Sequence, residues 1–103
     1  MITEKIKQIK ISRLDKNERY FYDLTNNLEK EHDSRVNNDF LYRYNGKVIF
    51  KLNIKDKIVG ISWDIRDYYI INGMIDEIDI KDFLSKMLKN YLDIENYEII
   101  YFA

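Results

Sequence analysis

The clearest pattern along this chain is the spacing of apolar residues between positions 79 and 92. Apolar side chains recur there at intervals of three and four residues, which places them on one face of a helix. The residues of this stripe are Ile80, Phe83, Leu84, Met87, Leu88 and Tyr91. Acidic residues crowd the first turn, where the helix macrodipole favours negative charge. The pattern predicts a helix with Asp79 as its N-cap.

A second helical stripe lies nearer the amino terminus and consists of Leu14, Phe21, Leu24 and Leu28. Ser12 and Asp15 form a pair that resembles a capping box, so we expect a helix from there to about His32. Residues 33–38 are polar and predict a loop. Residues 2–11 leave two alternatives open. Isoleucines at positions 2, 6 and 9 fit a helical face, whereas those at 9 and 11 alternate with lysine as in a strand.

Apolar and polar residues alternate between positions 39 and 72, which predicts an antiparallel meander. Val48, Phe50, Leu52 and Ile54 share one face of its central strand, and Lys47, Ile49, Lys51 and Asn53 share the other. Asn45 and Gly46 mark the first turn. A two-residue loop there would place Tyr42 beside the lysines. A three-residue loop that includes Tyr44, with Gly46 left-handed, sets Tyr42 opposite Val48 and keeps the apolar residues together, so we expect the longer loop.

The rest of the chain completes the expected sheet. An even loop around residues 56–57 keeps the apolar residues of the next strand on the core face. In this register Val59 lies opposite Ile54, Ile61 opposite Leu52, and Trp63 opposite Phe50. A tight turn at residues 66–67 precedes a fourth strand over 68–72, and residues 96–102 predict a final strand. The expected fold class is therefore α+β, an antiparallel meander of three to four strands plus a C-terminal strand, with two helices packed on one face.

The composition predicts a single globular domain over residues 1–103. An apolar fraction of 46% with 15% aromatic residues excludes disorder. No apolar run approaches the roughly 20 residues that span a bilayer, and the amino terminus lacks the layout of a signal peptide. The absence of cysteine excludes disulfides and thiolate metal sites. We expect a cytoplasmic protein without a cofactor. Its abundant Ile, Lys, Asn and Tyr have AT-rich codons, which favours a low-GC bacterium or phage as the source.

Charge is distributed unevenly along the chain. The first 60 residues carry a net +4 and the last 43 a net −5, within a formal net charge of −1. A concentrated acidic surface on a small domain suits the binding of a basic partner. Nine tyrosines add a residue type that interfaces favour. The expected partner-binding face consists of Asp64, Asp67, Tyr68, Asp76, Glu77 and Asp79.

Three candidates for chemistry have simpler structural explanations. His32 is the only histidine and adjoins acidic residues, but a histidine at a helix end commonly caps the last carbonyls. The acidic run over 76–82 lacks the central glycine and closing glutamate of a calcium loop. Asp79 and Lys81 have the acid-x-lysine spacing of restriction-type nucleases, with Asp64 or Asp67 as a second carboxylate. That motif belongs on a strand, however, and here it falls at a helix start. We expect neither an enzyme nor a metal site.

Lys47, Lys51 and Lys55 form a basic outer face of the expected sheet, with Arg43 beside Lys47. Nucleic-acid binders combine such a face with exposed aromatic residues, whereas the nearby aromatic residues are expected on the core face here. An isoelectric point near 5.8 also disfavours phosphate binding. Nucleic acid is therefore not the expected partner, and an oligonucleotide-binding module remains an alternative.

In its size, acidic surface, AT-rich bias and lack of catalytic residues, the chain resembles the small cytosolic immunity proteins of bacterial toxin–immunity systems, including contact-dependent growth inhibition. The resemblance implies a non-catalytic inhibitor whose partner is a toxin domain, often a tRNase or DNase. The alternative within this class is a phage-encoded inhibitor that mimics nucleic acid with its carboxylates and blocks a defence nuclease. Reversing Asp67 and Glu77 to lysine should slow binding without unfolding the domain.

Overall fold

The computed structural model describes residues 15–32 and 39–103, which form three helices and five strands. In chain order these are α1 (Lys16–Asn26), β1 (Leu28–His32), β2 (Asp39–Tyr44), β3 (Lys47–Asn53), β4 (Ile58–Ser62), α2 (Trp63–Ile71), α3 (Glu77–Leu92) and β5 (Glu98–Phe102). The strands form one sheet in the order β1-β2-β3-β4-β5. Neighbours are antiparallel from β1 to β4. β5 runs parallel to β4 because α2 and α3 form the crossover between them. The expected α+β class is confirmed.

The hydrophobic core lies between the helices and one face of the sheet. The ring of Phe21 in α1 lies 5.7 Å from that of Phe50 in β3. Tyr69 of α2 lies 5.0 Å from Phe83 of α3. The largest fully buried side chains are Tyr69, Phe21, Phe50, Ile61, Ile65, Ile80, Leu84, Met87, Leu88 and Val59. Burial of each large side chain contributes about 1.5–3 kcal/mol, so this cluster fixes how α2 and α3 are held on the sheet.

The helix predicted from the C-terminal apolar stripe is present as α3, but it begins earlier than expected. The N-cap is Asp76 rather than Asp79, because its carboxylate accepts a hydrogen bond from the N–H of Ile78 at 2.8 Å. Asp79 lies within the first helical turn. α3 ends at Leu92, followed by Asp93 in the left-handed region at φ 58°.

The N-terminal helix is shorter than expected, and its predicted end is a strand. The carboxylate of Asp15 caps α1 by accepting from the N–H of Glu18 at 2.8 Å. α1 ends at Asn26, and the next residues form β1, paired with β2. His32 therefore lies in an edge strand of the described sheet rather than at the end of α1. The local pattern of apolar residues does not predict β1, because four of its five side chains are exposed. The pairing with β2 is what makes this segment a strand.

The β2–β3 hairpin differs from the expected three-residue loop. Its turn consists of Asn45 and Gly46 alone, both at positive φ, 50° and 80°, and Tyr44 pairs with Lys47. A bulge between Tyr42 and Arg43 then shifts the register. Tyr42 lies opposite Phe50 rather than Val48 and is buried, as its expected core position requires. The bulge thus returns the apolar residues to one face after a two-residue turn.

The β3–β4 pairing is offset from the expected register by two residues. Val59 lies opposite Leu52 and Ile61 opposite Phe50, with residues 54–57 forming the turn. Because the offset is even, Phe50 and Leu52 of β3 and Val59 and Ile61 of β4 stay on the core face. Ile54 was also expected there, but it lies in the turn and is 43% exposed, because the strand pairing ends before it. Ile49 was expected on the outer face with the lysines, but it is buried and belongs to the hydrophobic cluster.

The segment predicted to hold a tight turn and a fourth strand is the helix α2. The hydroxyl of Ser62 caps it by accepting from the N–H of Asp64 at 3.3 Å. Ile65 and Tyr69, four residues apart, are both buried, so helical burial overrides the β-propensity of this aromatic stretch. Trp63 is the first residue of α2 rather than a core strand residue. It is 40% exposed and stacks on Tyr101 at 4.9 Å.

The predicted final strand is confirmed as β5. Some of the sequence-based expectations concern residues outside the described ranges. These are the expectations for residues 2–11, the cap at Ser12, Leu14 and the loop over 33–38.

Candidate functional site

The six residues that the sequence predicts for partner binding fall on two consecutive helices and their connection. Asp64, Asp67 and Tyr68 belong to α2, Asp76 is the N-cap of α3, and Glu77 and Asp79 lie in the first turn of α3. The chain reverses between them through Gly73, which has a φ of 101° that favours glycine. Besides the core contact of Tyr69 with Phe83, an arginine links the two helix segments at the surface.

Arg66 links α2 to the start of α3. Its Nη2 lies 2.8 Å from Oε2 of Glu77, and its Nε donates to the same oxygen at 2.9 Å. Its Nη1 lies 3.9 Å from Oδ1 of Asp67. The guanidinium also lies over the rings of Trp63 and Tyr101, 5.0 and 5.5 Å from their centroids. Arg66 therefore orients the two helices and neutralises part of the acidic cluster.

Opposing effects act on the pKa of Glu77. Desolvation raises it, but the hydrogen bond and charge of Arg66, together with Tyr101 and the charge of Lys81, lower it more, so the net pKa lies below the ordinary value of 4.5. The same hydrogen bond raises the pKa of Arg66. Both groups are charged at neutral pH, and the pair is lost only as the pH falls below 4.5 and through the pKa of Glu77.

Two other predicted residues are also engaged within the molecule. Asp64 forms an ion pair with Lys47 of β3. Tyr68 is half-buried, and its ring stacks on that of Tyr20 with 3.6 Å between centroids and 10° between planes. One face of the Tyr68 ring is therefore covered by Tyr20. Asp67, Asp76 and Asp79 remain exposed.

Sequence reasoning missed the most exposed apolar side chains of this region. Ile71 at the end of α2, Ile75 in the connection and Ile78 in the first turn of α3 are 82%, 83% and 70% exposed. The signal that indicates them is their position off the core stripe of α3, which begins at Ile80. We call these three residues, together with the carboxylates of Asp67, Asp76, Glu77 and Asp79, the α2–α3 surface.

The α2–α3 surface combines the two properties of a protein-binding site. Isolated exposed isoleucines are ordinary, but three of them within eight residues concentrate apolar area that water solvates poorly. Carboxylates precede, separate and follow them along the chain. Specific interfaces combine both kinds of group, in that apolar contact supplies affinity and charges supply orientation.

The basic sheet face of Lys47, Lys51 and Lys55 is less available for binding a partner than the sequence implied. Lys47 pairs with Asp64, and Arg43 lies 3.5 Å from Oε1 of Glu31. The nearby aromatic residues were expected on the core face only, but the ring of Phe102 lies on the lysine side. Nζ of Lys51 lies 4.4 Å from its centroid. Phe102 fits there because Gly60 has no side chain, and a Cβ at Gly60 would lie 3.1 Å from Cδ1 of Phe102.

The candidates for chemistry are dispersed in the fold. His32 stacks edge-on against Phe40 with 5.3 Å between ring centroids. Asp79 and Lys81 lie in the first turns of α3, not on a strand. Within residues 15–32 and 39–103, no group of three or more His, Asp and Glu side chains is arranged to hold a metal ion. In the same ranges no helix is both long and apolar enough to cross a membrane.

Comparison with known proteins gives no match to a family model, to a curated protein or to a solved structure. The geometry of the α2–α3 surface therefore carries the functional argument.

Proposed function

We propose that this chain is a non-catalytic binding protein that uses the α2–α3 surface to bind and neutralise a basic protein, a bacterial toxin domain of the nuclease class. The observation that supports this most is the exposure of Ile71, Ile75 and Ile78 among carboxylates. Nucleases bind phosphate backbones through basic surfaces, and such a surface is complementary to this one in charge.

Each part of the surface has its own contribution to binding. Full burial of an isoleucine side chain contributes about 1.5–3 kcal/mol, so Ile71, Ile75 and Ile78 are the candidates for the energetic centre. Asp67 and Asp79 are exposed carboxylates that attract a basic partner over a distance and accelerate encounter. Glu77 is held by Arg66 and keeps the two helices in place.

Inhibition requires no reaction on this chain. Carboxylates placed on a nuclease active site occupy the positions that substrate phosphates take, and the isoleucines exclude water around these contacts. The partner is then blocked by competition with its own substrate, and high salt weakens the complex by screening the charges.

A pulldown with matched variants tests this proposal. Tagged wild-type protein, Ile75→Lys and the control Ile54→Lys are each incubated with extract of the native host at low and at high salt. Ile54 is a suitable control because it is also an exposed isoleucine, 43% accessible, in the β3–β4 turn. We expect wild type and the control to retain one basic protein at low salt, and Ile75→Lys to lose it.

The retained protein is then purified and its nuclease activity measured with increasing amounts of each variant. Stoichiometric inhibition by wild type and by Ile54→Lys, but not by Ile75→Lys, is the expected result. Equal binding by all three variants, or binding without inhibition, contradicts the proposal.

A phage-encoded inhibitor of a defence nuclease is the alternative with the same surface. Its gene would lie in a phage operon, whereas a toxin gene directly upstream indicates an immunity protein. An oligonucleotide-binding module is supported by one observation, the contact of Lys51 with Phe102 on the outer face. A salt-sensitive mobility shift of labelled RNA or DNA that is lost in Lys51→Glu would favour that function.

A further inference from the structure

The two edges of the sheet are protected very differently. β1 at one edge has the sequence Leu-Glu-Lys-Glu-His, and its charged side chains discourage pairing with another strand. β5 at the other edge has the sequence Glu-Ile-Ile-Tyr-Phe, with one charged residue at its start. Among the described residues, β5 has a strand neighbour only on the β4 side. An apolar edge strand of high β-propensity is a site for strand addition.

The backbone groups that β5 offers follow from its pairing with β4. The N–H of Glu98 donates to the carbonyl oxygen of Lys57 at 2.9 Å. In a parallel ladder alternate residues point the same way, so Glu98, Ile100 and Phe102 direct their N–H and C=O groups to β4. The N–H and C=O groups of Ile99 and Tyr101 point to the open edge.

We propose that β5 pairs with β5 of a second copy of this chain, antiparallel and with the two-fold axis at Ile100. In that register Ile99 of each copy lies opposite Tyr101 of the other, so each edge group of one copy meets a complementary group of the second. Ile100 of one copy then lies opposite Ile100 of the other. In an antiparallel ladder, hydrogen-bonded pairs alternate with more closely spaced pairs that exchange no hydrogen bonds, and the two Ile100 residues form a pair of this second kind. A strand that complements itself in this way fits the isologous interface of a two-fold dimer.

The side chains agree with this register. Ile100 is 47% exposed, and the pairing covers it with the same residue of the second copy. Glu98 of the second copy lies opposite Phe102, the ring over which Nζ of Lys51 lies at 4.4 Å. The pairing therefore brings a carboxylate toward a lysine across the interface. A formal net charge of −1 opposes self-association only weakly.

The inference is independent of the partner proposed for the α2–α3 surface, because Ile71, Ile75 and Ile78 lie outside β5. Edge pairing of five residues buries little area compared with a standard interface, so the dimer is expected to be weak and dependent on concentration.

Sedimentation velocity of the full chain from about 10 μM to 1 mM, a range suited to a small interface, tests the proposal. The wild-type average mass should rise toward twice the monomer mass. Ile100→Lys should remain monomeric, because the two-fold axis would place two lysines together. Ile54→Lys, the matched exposed isoleucine, should behave as wild type. Ile100→Thr keeps the β-branched side chain and should dimerise less than wild type, and thermal unfolding confirms that each variant folds.

Amide hydrogen exchange at the same concentrations locates the contact. Protection of Ile99 and Tyr101 should increase with wild-type concentration and should not in Ile100→Lys. A wild type that is monomeric throughout overturns the inference, as does a dimer that survives Ile100→Lys or is instead lost in Ile75→Lys. Protection of Ile99 and Tyr101 that is independent of concentration also overturns it, since the edge is then covered within one copy.

Discussion

At the scale of single residues, the β2–β3 turn depends on two backbone conformations. Asn45 and Gly46 both have positive φ, and the turn joins strands whose register sets the core position of Tyr42. Glycine adopts φ of 80° without a steric penalty, whereas a residue with a Cβ does not. Space around Gly46 is open, since a Cβ added there would have no neighbouring atom within 4 Å. The backbone conformation alone therefore makes glycine preferable at this position.

Gly46→Ala should lower the free energy of unfolding by about 1 kcal/mol because alanine is strained at this φ. Urea denaturation of wild type and variant measures the difference. Lys55→Ala, an exposed change in the next turn, should alter stability by less than about 0.5 kcal/mol. A Gly46→Ala variant as stable as this control would show that the turn tolerates another conformation.

A second residue-scale contact joins α1 to α3. The hydroxyl of Tyr91 donates to Oε1 of Glu18 at 2.9 Å. Desolvation together with this hydrogen bond raises the pKa of Tyr91 from 10.0 to about 12. A group whose pKa is higher in the folded than in the unfolded state stabilises the fold at pH values below its unfolded-state pKa. This stabilisation is lost as the pH rises through the folded-state pKa.

Tyr91→Phe should therefore destabilise the protein by about 1 kcal/mol at neutral pH, the usual net value of a hydrogen bond. The advantage of wild type should be fully present below pH 10 and should disappear as the pH rises through about 12. Chemical denaturation over this pH range measures both effects. Tyr97→Phe serves as the control, and a wild-type advantage that is constant with pH would contradict the assignment.

At the scale of elements, α2 shows how a cap and burial decide between helix and strand. Its sequence is rich in Trp, Tyr and Ile, which favour strands. The hydroxyl of Ser62 nevertheless satisfies the N–H of Asp64, and helical spacing buries Ile65 and Tyr69 together. Ser62 is itself 2% exposed, so its hydroxyl has little access to water as a substitute partner.

Ser62→Ala should cost about 0.5–2 kcal/mol of stability, because the first turn of α2 loses its cap. Ser85→Ala is the matched control. It makes the same change at an exposed position within α3 and should be neutral or slightly stabilising, since alanine has the higher helix propensity. Thermal and urea unfolding of both variants check the expectation. Equal stability of the two variants would mean that the Ser62 hydroxyl does not support α2.

At the scale of the whole molecule, the fold brings much of the acidic half of the chain together. The acidic residues between positions 64 and 79 fall on α2 and the start of α3, which are consecutive and linked by Arg66, whereas Asp93, Glu95 and Glu98 lie beyond the far end of α3. Not every carboxylate contributes equally. Glu77 is held by Arg66 at 2.8 Å and Asp64 pairs with Lys47. Asp67 makes only a longer contact with Arg66, at 3.9 Å, and Asp79 is exposed.

Charge reversal at Asp67 and Asp79 leaves the 2.8 Å pair of Arg66 with Glu77 intact and removes only the longer 3.9 Å contact of Arg66 with Asp67. Asp67→Lys with Asp79→Lys should slow association with the basic partner by about tenfold or more at low salt. Stopped-flow or surface-based kinetics at two salt concentrations measure this effect. The dissociation rate should change less than the association rate, because the isoleucines are intact.

Asp23→Lys with Glu29→Lys controls for net charge, because it reverses two exposed carboxylates on α1 and β1, outside the proposed face. This control should slow association much less. Association that is unchanged by reversal at Asp67 and Asp79, or slowed equally by the control, would move the binding face away from the α2–α3 surface.

The elements that could be predicted from the sequence are those whose signal is local. α3 could be predicted because its sixteen residues repeat one apolar stripe, and the core faces of β3 and β4 because alternation is preserved under an even shift of register. The concentration of acidic residues in the last 43 positions is also visible in the sequence, whereas their role in binding a partner stays a prediction.

The elements that could not be predicted depend on a partner elsewhere in the chain. β1 exists through its pairing with β2, the bulge at Tyr42 through packing against Phe50, and α2 through burial of Tyr69 against α1 and α3. Exposure of Ile71 and Ile75 is likewise a property of the packed molecule, whereas the position of Ile78 off the core stripe of α3 can be read in the sequence. Long-range contacts set these features, and their free energies exceed the local preferences that a sequence displays.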